Sequence, residues 1–224
     1  MVAAGTMDNR RSDEAAPVTI GRKGKMTIGQ KKKAVALAWA TAILLCLGFG
    51  TWQLGHGLYI NAKAQLAQVL LERAWQMTLA DGKPHKAWPW ADTWPVAKLE
   101  IPSLGLTQIV LSNASGEALA FGPGHLVGSP QPGRGGMTVI AGHRDTHFSF
   151  LSGLKNDDHV IVSTADGVSH RYIVGQSEIL DSGLVRIDPF SRPGIAFVTC
   201  YPFDSKEQGP LRYVVFASPA PDAG

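Results

Sequence analysis

The chain has 224 residues, 45% of them hydrophobic, enough to bury one good core, and its 25 glycines and 14 prolines ask for many turns between short elements. The formal charge of +3 is an uneven average: residues 1–33 carry eight Lys or Arg against three Asp or Glu, so the rest is weakly acidic. That distribution excludes a basic nucleic-acid face, and the lack of any internal repeat, GxGxxG or phosphate loop leaves nucleotide chemistry without support.

Residues 1–33 read as a basic cytoplasmic tail ending in Arg22-Lys-Gly-Lys25 and Lys31-Lys-Lys33. They run into a stretch from Ala34 to Leu54 without one charge, and about 20 apolar residues cross a bilayer, so residues 34–55 are expected to be a transmembrane anchor. A cleavable signal peptide competes with this, but the run is long for an h-region and no small-x-small site closes it. The positive-inside rule then sends everything after Tyr59 out of the cytoplasm. Cys46, inside the run, is expected to pack.

Residues 56–95 form a stem and linker. Leu66, Val69, Leu70, Ala74 and Met77 recur at helical spacing over Asn61–Ala80, and Asp81-Gly82 stops the pattern. Such a helix either lifts the following domain off the membrane or packs against it. Trp88, Trp90 and Trp94, interleaved with prolines, are expected to pack on the domain wall.

From Val96 the texture changes to short apolar runs broken by Gly, Pro, Asn and Asp, the pattern of an all-β domain, closed or sandwiched, over residues 96–218, with 219–224 as a flexible terminus. Strands are expected at Ala97–Ile101, Leu106–Leu111, Thr138–Gly142, His159–Thr164, Ser169–Glu178, Ile195–Cys200 and Arg212–Ala217. A helical turn is expected at Gly116–Phe121 and another after Phe148.

Cys200 is the only cysteine outside the apolar run, and it ends a strand-like segment, where a side chain projects from a rigid scaffold. A thiol attacks a carbonyl as thiolate, which needs a proton acceptor; His143, ending a strand and opening a loop, is the best placed of the seven histidines. Arg212, opening the last strand, is a fixed cation able to donate to a developing oxyanion. His143 and His147 also invite a metal reading, a zinc hydrolase using His125, His143, His147 and Cys200; the preceding strand and the missing glutamate after His143 weaken it. No carboxylate-dense loop suggests calcium.

Gly122-Pro-Gly-His125, Ile140-Ala-Gly-His-Arg-Asp-Thr-His-Phe148, Val198-Thr-Cys-Tyr-Pro-Phe203 and Gly209-Pro-Leu-Arg-Tyr-Val-Val215, in that order, resemble sortases, the membrane-anchored cysteine transpeptidases. The His-Arg-Asp-Thr-His-Phe loop and the compact stretch between Cys200 and Arg212 are most similar to the Gram-negative class. Where class A sortases carry Thr-Leu-x-Thr-Cys, this chain has Ala196-Phe-Val-Thr-Cys200, a departure that bears on the sorting motif.

The resemblance implies a closed barrel of about eight strands with short helices, preceded by the anchor and stem. It implies that Cys200 attacks the threonine carbonyl of an LPxTG-like signal, with His143 as acid and base, Arg212 as oxyanion donor, and an amine resolving the thioester. Thr199, His125, Asp145 and His147 are expected around the substrate: Thr199 positioning it, His125 lining the groove or holding its own loop, Asp145 and His147 tuning the base. No cofactor or metal is implied. The partners implied are a secreted protein with a C-terminal LPxTG-like signal and an amine acceptor of the cell envelope or another protein. The expected setting is the inner membrane, single-pass, with the domain periplasmic. A peptidase that only hydrolyses and a non-catalytic membrane-tethered binding domain are the alternatives. Asp92-Thr-Trp94 is loosely similar to the lid of pilin-polymerising sortases, with Thr93 where those have proline.

Overall fold

The computed structural model describes residues 28–205, 207 and 209–221; the first 27 residues of the expected basic tail and the last three of the chain lie outside them. The chain divides into two compact units, Met1–His56 and Gly57–Gly224, and the first helix, α1 (Ile28–Asp81), contributes to both.

In the first unit the helix is apolar around its whole circumference. Trp39, Leu44, Leu45, Phe49 and Trp52 all stand exposed. A helix with no polar face suits hydrocarbon rather than water, and this one is long and apolar enough to cross a membrane by length and composition.

The second unit is built on a closed barrel. Its strands are β1 (Pro95–Ile101), β2 (Leu106–Leu111), β3 (Gly124–His125), β4 (Met137–Ala141), β5 (His159–Thr164), β6 (Ser169–Asp181), β7 (Gly194–Cys200) and β8 (Leu211–Pro219). Around the barrel they run β1-β2-β3-β4-β7-β8-β6-β5, and β5 closes on β1. Only β2 with β3 and β4 with β7 pair in parallel.

The seven strands expected from the sequence are all present. The eighth, β3, is two residues long, below the length at which alternation carries a signal. A four-residue helix α2 (Gly116–Leu119), capped by the Ser115 side chain on the Ala118 amide, and a 3₁₀ turn at Ser149–Gly153 stand where helical turns were expected.

Side chains alternate across a strand, so each strand serves two environments. Leu99, Ile101, Ile140, Val160, Val162, Phe197 and Val215 fill the barrel interior and are essentially inaccessible to solvent. On the outer face of β4, β7 and β8, Met137, Val139, Ala196 and Val214 form a second apolar cluster with Leu180, Ile187, Val198 and Phe216 around it.

A third cluster joins the stem to the barrel. Leu71 and Trp75 bury against Ile109, Leu111 and Ala118, with Trp88 and Phe121 in edge-to-face contact beside them. Within the second unit the stem therefore packs on the domain, and each of those two side chains adds about 1.5–3 kcal/mol of burial. The helix buries Ala67, Leu71, Ala74, Trp75 and Thr78; of the five residues at helical spacing in the sequence, Ala74 is buried, Leu70 is half-buried, and Leu66, Val69 and Met77 are exposed. Trp90 is likewise exposed.

Candidate active site

Because β4 and β7 run parallel, their C-terminal ends reach the same rim, with Ala141 beside Val198. The next residue, Gly142, is clamped by β7 from two sides: its N–H donates to the Val198 carbonyl (3.1 Å), and its own carbonyl accepts from the Thr199 hydroxyl (2.7 Å). The buried Phe148 ring lies flat against it. A Cβ on Gly142 would meet that ring at 2.6 Å, so no larger residue fits. The Phe148 N–H returns to the His143 carbonyl at 2.9 Å, closing a short loop that holds His143, exposed, at the rim.

Cys200 ends β7 and is half-buried. It pairs in register with Arg212 on antiparallel β8, and residues opposite each other on neighbouring strands project to the same face. Thiol and guanidinium thus stand side by side on the outer face. Arg212 donates through Nη1 to the carbonyls of Gly209 (2.7 Å) and Leu211 (2.9 Å), and among the described residues its Nε and Nη2 have no protein partner. The Tyr201 N–H is committed to the Leu211 carbonyl at 3.0 Å, which leaves the guanidinium as the donor beside Cys200.

The same face carries a cleft of about 380 Å³. Val139, Val198 and Val214 form its floor, Val185, Ile187 and Pro189 from the segment between β6 and β7 line one side, and Arg212 stands within it. A larger hollow, about 850 Å³, lies at the other end of the barrel, where β7 begins and β8 ends, and no cysteine lines it.

The remaining sequence candidates occupy different positions. Thr199 is 2% exposed, and its hydroxyl is spent on Gly142, so it braces the His143 loop rather than facing the cleft. His125 is buried, with Nε2 at 3.2 Å from the Pro130 carbonyl and 3.1 Å from the Ser129 hydroxyl, bonds that hold its own loop. Asp145 is exposed, and its only described partner is Arg144. His147 is half-buried. Burial holds its imidazole below the ordinary range, a hydrogen bond to the Ala120 backbone works against this, and the neighbouring His143 charge pushes it lower again. His147 is therefore biased to stay neutral.

Among the described residues no three His, Cys, Asp or Glu side chains converge into a metal-holding group, so His125, His143, His147 and Cys200 do not form one. Asp92 and Thr93 bond to Ser115 and Ser112 beside α2, and Asn113 donates to the Asp92 carbonyl. Among the described residues, no hydrogen bond joins that segment to Cys200.

Two residues with a part in this geometry were not singled out from the sequence. Gly142 reads as an ordinary strand end, and only the Phe148 ring over it reveals the constraint. Arg144 reads as a polar loop residue, yet it is 7% exposed and donates to three carbonyls between Cys200 and Arg212. Its place directly after the base was the one available sign.

The model of the Sortase domain matches residues 99–220, more than half of the chain. The chain belongs to the sortase family. Sortase A from Corynebacterium diphtheriae is 26% identical over 59% of this chain, with a TM-score of 0.50; the match covers 63% of that enzyme, so this chain spans less than two thirds of its length. The sortase D5 transpeptidase from Clostridium perfringens is 18% identical, covering 70% of this chain and 99% of that one, with a TM-score of 0.54. Sortase C1 from Streptococcus suis is 22% identical, covering 58% and 75%, with a TM-score of 0.51. The last two likenesses speak for the barrel alone. No curated protein matches. The family is one of cysteine transpeptidases, and this sortase carries the thiol, imidazole and guanidinium at one end of its barrel.

Proposed function

We propose that this sortase is a membrane-anchored transpeptidase that cleaves an LPxTG-like sorting signal and passes the protein to an amine. The reading is carried by the register pair of Cys200 and Arg212 on the outer face, beside a rim loop bearing His143. The Cys200 thiolate attacks the threonine carbonyl, forming a C–S bond while Arg212 donates to the oxyanion. As the intermediate collapses, the Thr–Gly bond breaks and His143, as imidazolium, gives its proton to the leaving amine. An acceptor amine then attacks the thioester, His143 takes its proton, and the thiolate is released. Water in place of the amine yields hydrolysis.

The cleft supports an extended peptide with an apolar residue ahead of the threonine, because its lining is mostly aliphatic, with Arg212 and Arg186 as its cations. The apolar helix supports a single-pass anchor in the inner membrane, with the basic tail in the cytoplasm and the domain in the periplasm. The Gram-negative subclass rests on the His143–Phe148 loop and on the short stretch from Cys200 to Arg212, which carries no helix among the described residues. The substrate is then a secreted protein whose C-terminus bears the signal, an apolar segment and a basic tail.

Incubating the full-length protein in detergent with an LPxTG peptide tests this. Intact mass is expected to report a thioacyl adduct on Cys200 that an added amine discharges as a new amide. Cys200→Ala is expected to abolish the adduct. No adduct with any plausible sorting peptide would sink the proposal.

A further inference from the structure

We propose that Arg144 is a positioning residue: its guanidinium ties the loop bearing the base to the loop that joins the nucleophile to the oxyanion donor. The inference rests on the roles assigned above to Cys200, His143 and Arg212.

Arg144 follows His143 directly, and its side chain is 6% exposed. Nη1 donates to the Pro202 carbonyl at 2.9 Å, while Nη2 donates to the carbonyls of Ser205 and, at 3.1 Å, Glu207. All three acceptors lie between Cys200 and Arg212. Nε faces the Asp145 carboxylate at 3.4 Å, but that carboxylate is 71% exposed and in water contributes little. A cation taken out of solvent is costly unless its donors are satisfied, and here the backbone of one loop satisfies them. Since the acceptors are main-chain carbonyls, the guanidinium responds to the shape of that loop rather than to its side chains. A planar fork spans several fixed carbonyls; a lysine ammonium, a single point on a flexible stem, does not.

Among the described residues the loop's other anchors sit toward its two ends, where Ser182 also donates through its N–H (3.0 Å) and its hydroxyl (2.8 Å) to the Pro210 carbonyl. Tyr201 and Phe203 pack on Tyr213 at its start, and Arg212 holds the Gly209 carbonyl near its end. Between them Arg144 supplies the fixed point. One of the two carbonyls that aim Arg212, that of Gly209, belongs to the same loop, so releasing Arg144 loosens that hold on the oxyanion donor. The aliphatic cleft of Val185, Ile187, Val198 and Val214 does not touch Arg144. Loss of the tie is therefore expected in turnover rather than in substrate affinity.

The experiment uses full-length protein in detergent and compares wild type, Arg144→Gln and Arg144→Lys by thioacylation kinetics with an LPxTG peptide and by amide exchange over Tyr201–Leu211. In Arg144→Gln, kcat is expected to fall about tenfold to a hundredfold, the scale of a small misplacement of reacting groups, with KM within about twofold and faster exchange in the loop. Arg144→Lys is expected to restore neither, and it carries the test if the glutamine variant does not fold. Wild-type kcat, a loss residing wholly in KM, or full rescue by lysine would each overturn the role. If the wild type itself forms no adduct on Cys200, the catalytic reading falls and this role with it. If the wild type forms the adduct and Arg144→Gln turns over as fast, only the positioning role falls.

Discussion

The two faces of β7 carry opposite duties on alternate residues. Ile195, Phe197 and Thr199 point to the interior or to a neighbouring backbone and are almost wholly enclosed. Ala196, Val198 and Cys200 form the outer face, where cover thins toward the rim: Ala196 is buried, while Val198 and Cys200 are only half-buried. The inner face fixes where the strand ends. The outer face uses that fixed end to present a thiol beside a guanidinium, which places scaffold and chemistry one residue apart.

Breaking the inner face should cost most in stability. Phe197→Ala, at a side chain packed edge-to-face on Phe148, is expected to lower unfolding free energy by about 3–5 kcal/mol. Denaturant titration checks this, and the thioacylation rate per folded molecule should stay near that of the wild type. Arg212→Ala is the reverse case: about a hundredfold to a thousandfold loss of kcat, as for removal of an oxyanion donor, with stability changed by about 1 kcal/mol or less. If Arg212→Ala unfolded the domain while Phe197→Ala silenced it without loss of stability, the division between faces would be wrong.

Gly142→Ala probes the join between the two. The added methyl meets the Phe148 ring, so the expected cost is about 1–3 kcal/mol, accompanied by a lower kcat as the His143 loop is displaced. The smallest effect belongs to His147. Its folded pKa lies below the unfolded value of about 6.5, so the unfolded chain binds the proton first and stability falls as pH drops through and below that value. His147→Gln is expected to flatten this acid-side slope in thermal melts collected from about pH 7 to pH 5. An unchanged slope would remove His147 as its source.

Much of this was readable from residue order. Alternation marked seven strands, and the chemistry of a lone thiol, a loop histidine and a strand arginine singled out three residues that the fold brings to one rim. Alternation failed at β3, where two residues, one of them glycine, carry no periodic signal. It found the stem helix but left its inner face undecided, because Leu66, Val69 and Met77 are as hydrophobic as the residues that are buried, and only the surface offered by Ile109 and Leu111 decides the face. Arg144 escaped for a different reason. Its partners are carbonyls, which every residue has, so no sequence pattern names them.

The parallel pairing of β4 and β7 has a consequence for how such a domain can change. His143 and Cys200 leave the barrel at the same rim because their strands point the same way, and everything between them, β5, β6 and the segment roofing the cleft, is an excursion that departs and returns. Residues can be added to that roof, or exchanged within it, without shifting either end of the excursion. Under the proposed function, selectivity for what precedes the scissile bond is thus free to be rewritten while His143 and Cys200 stay where they are.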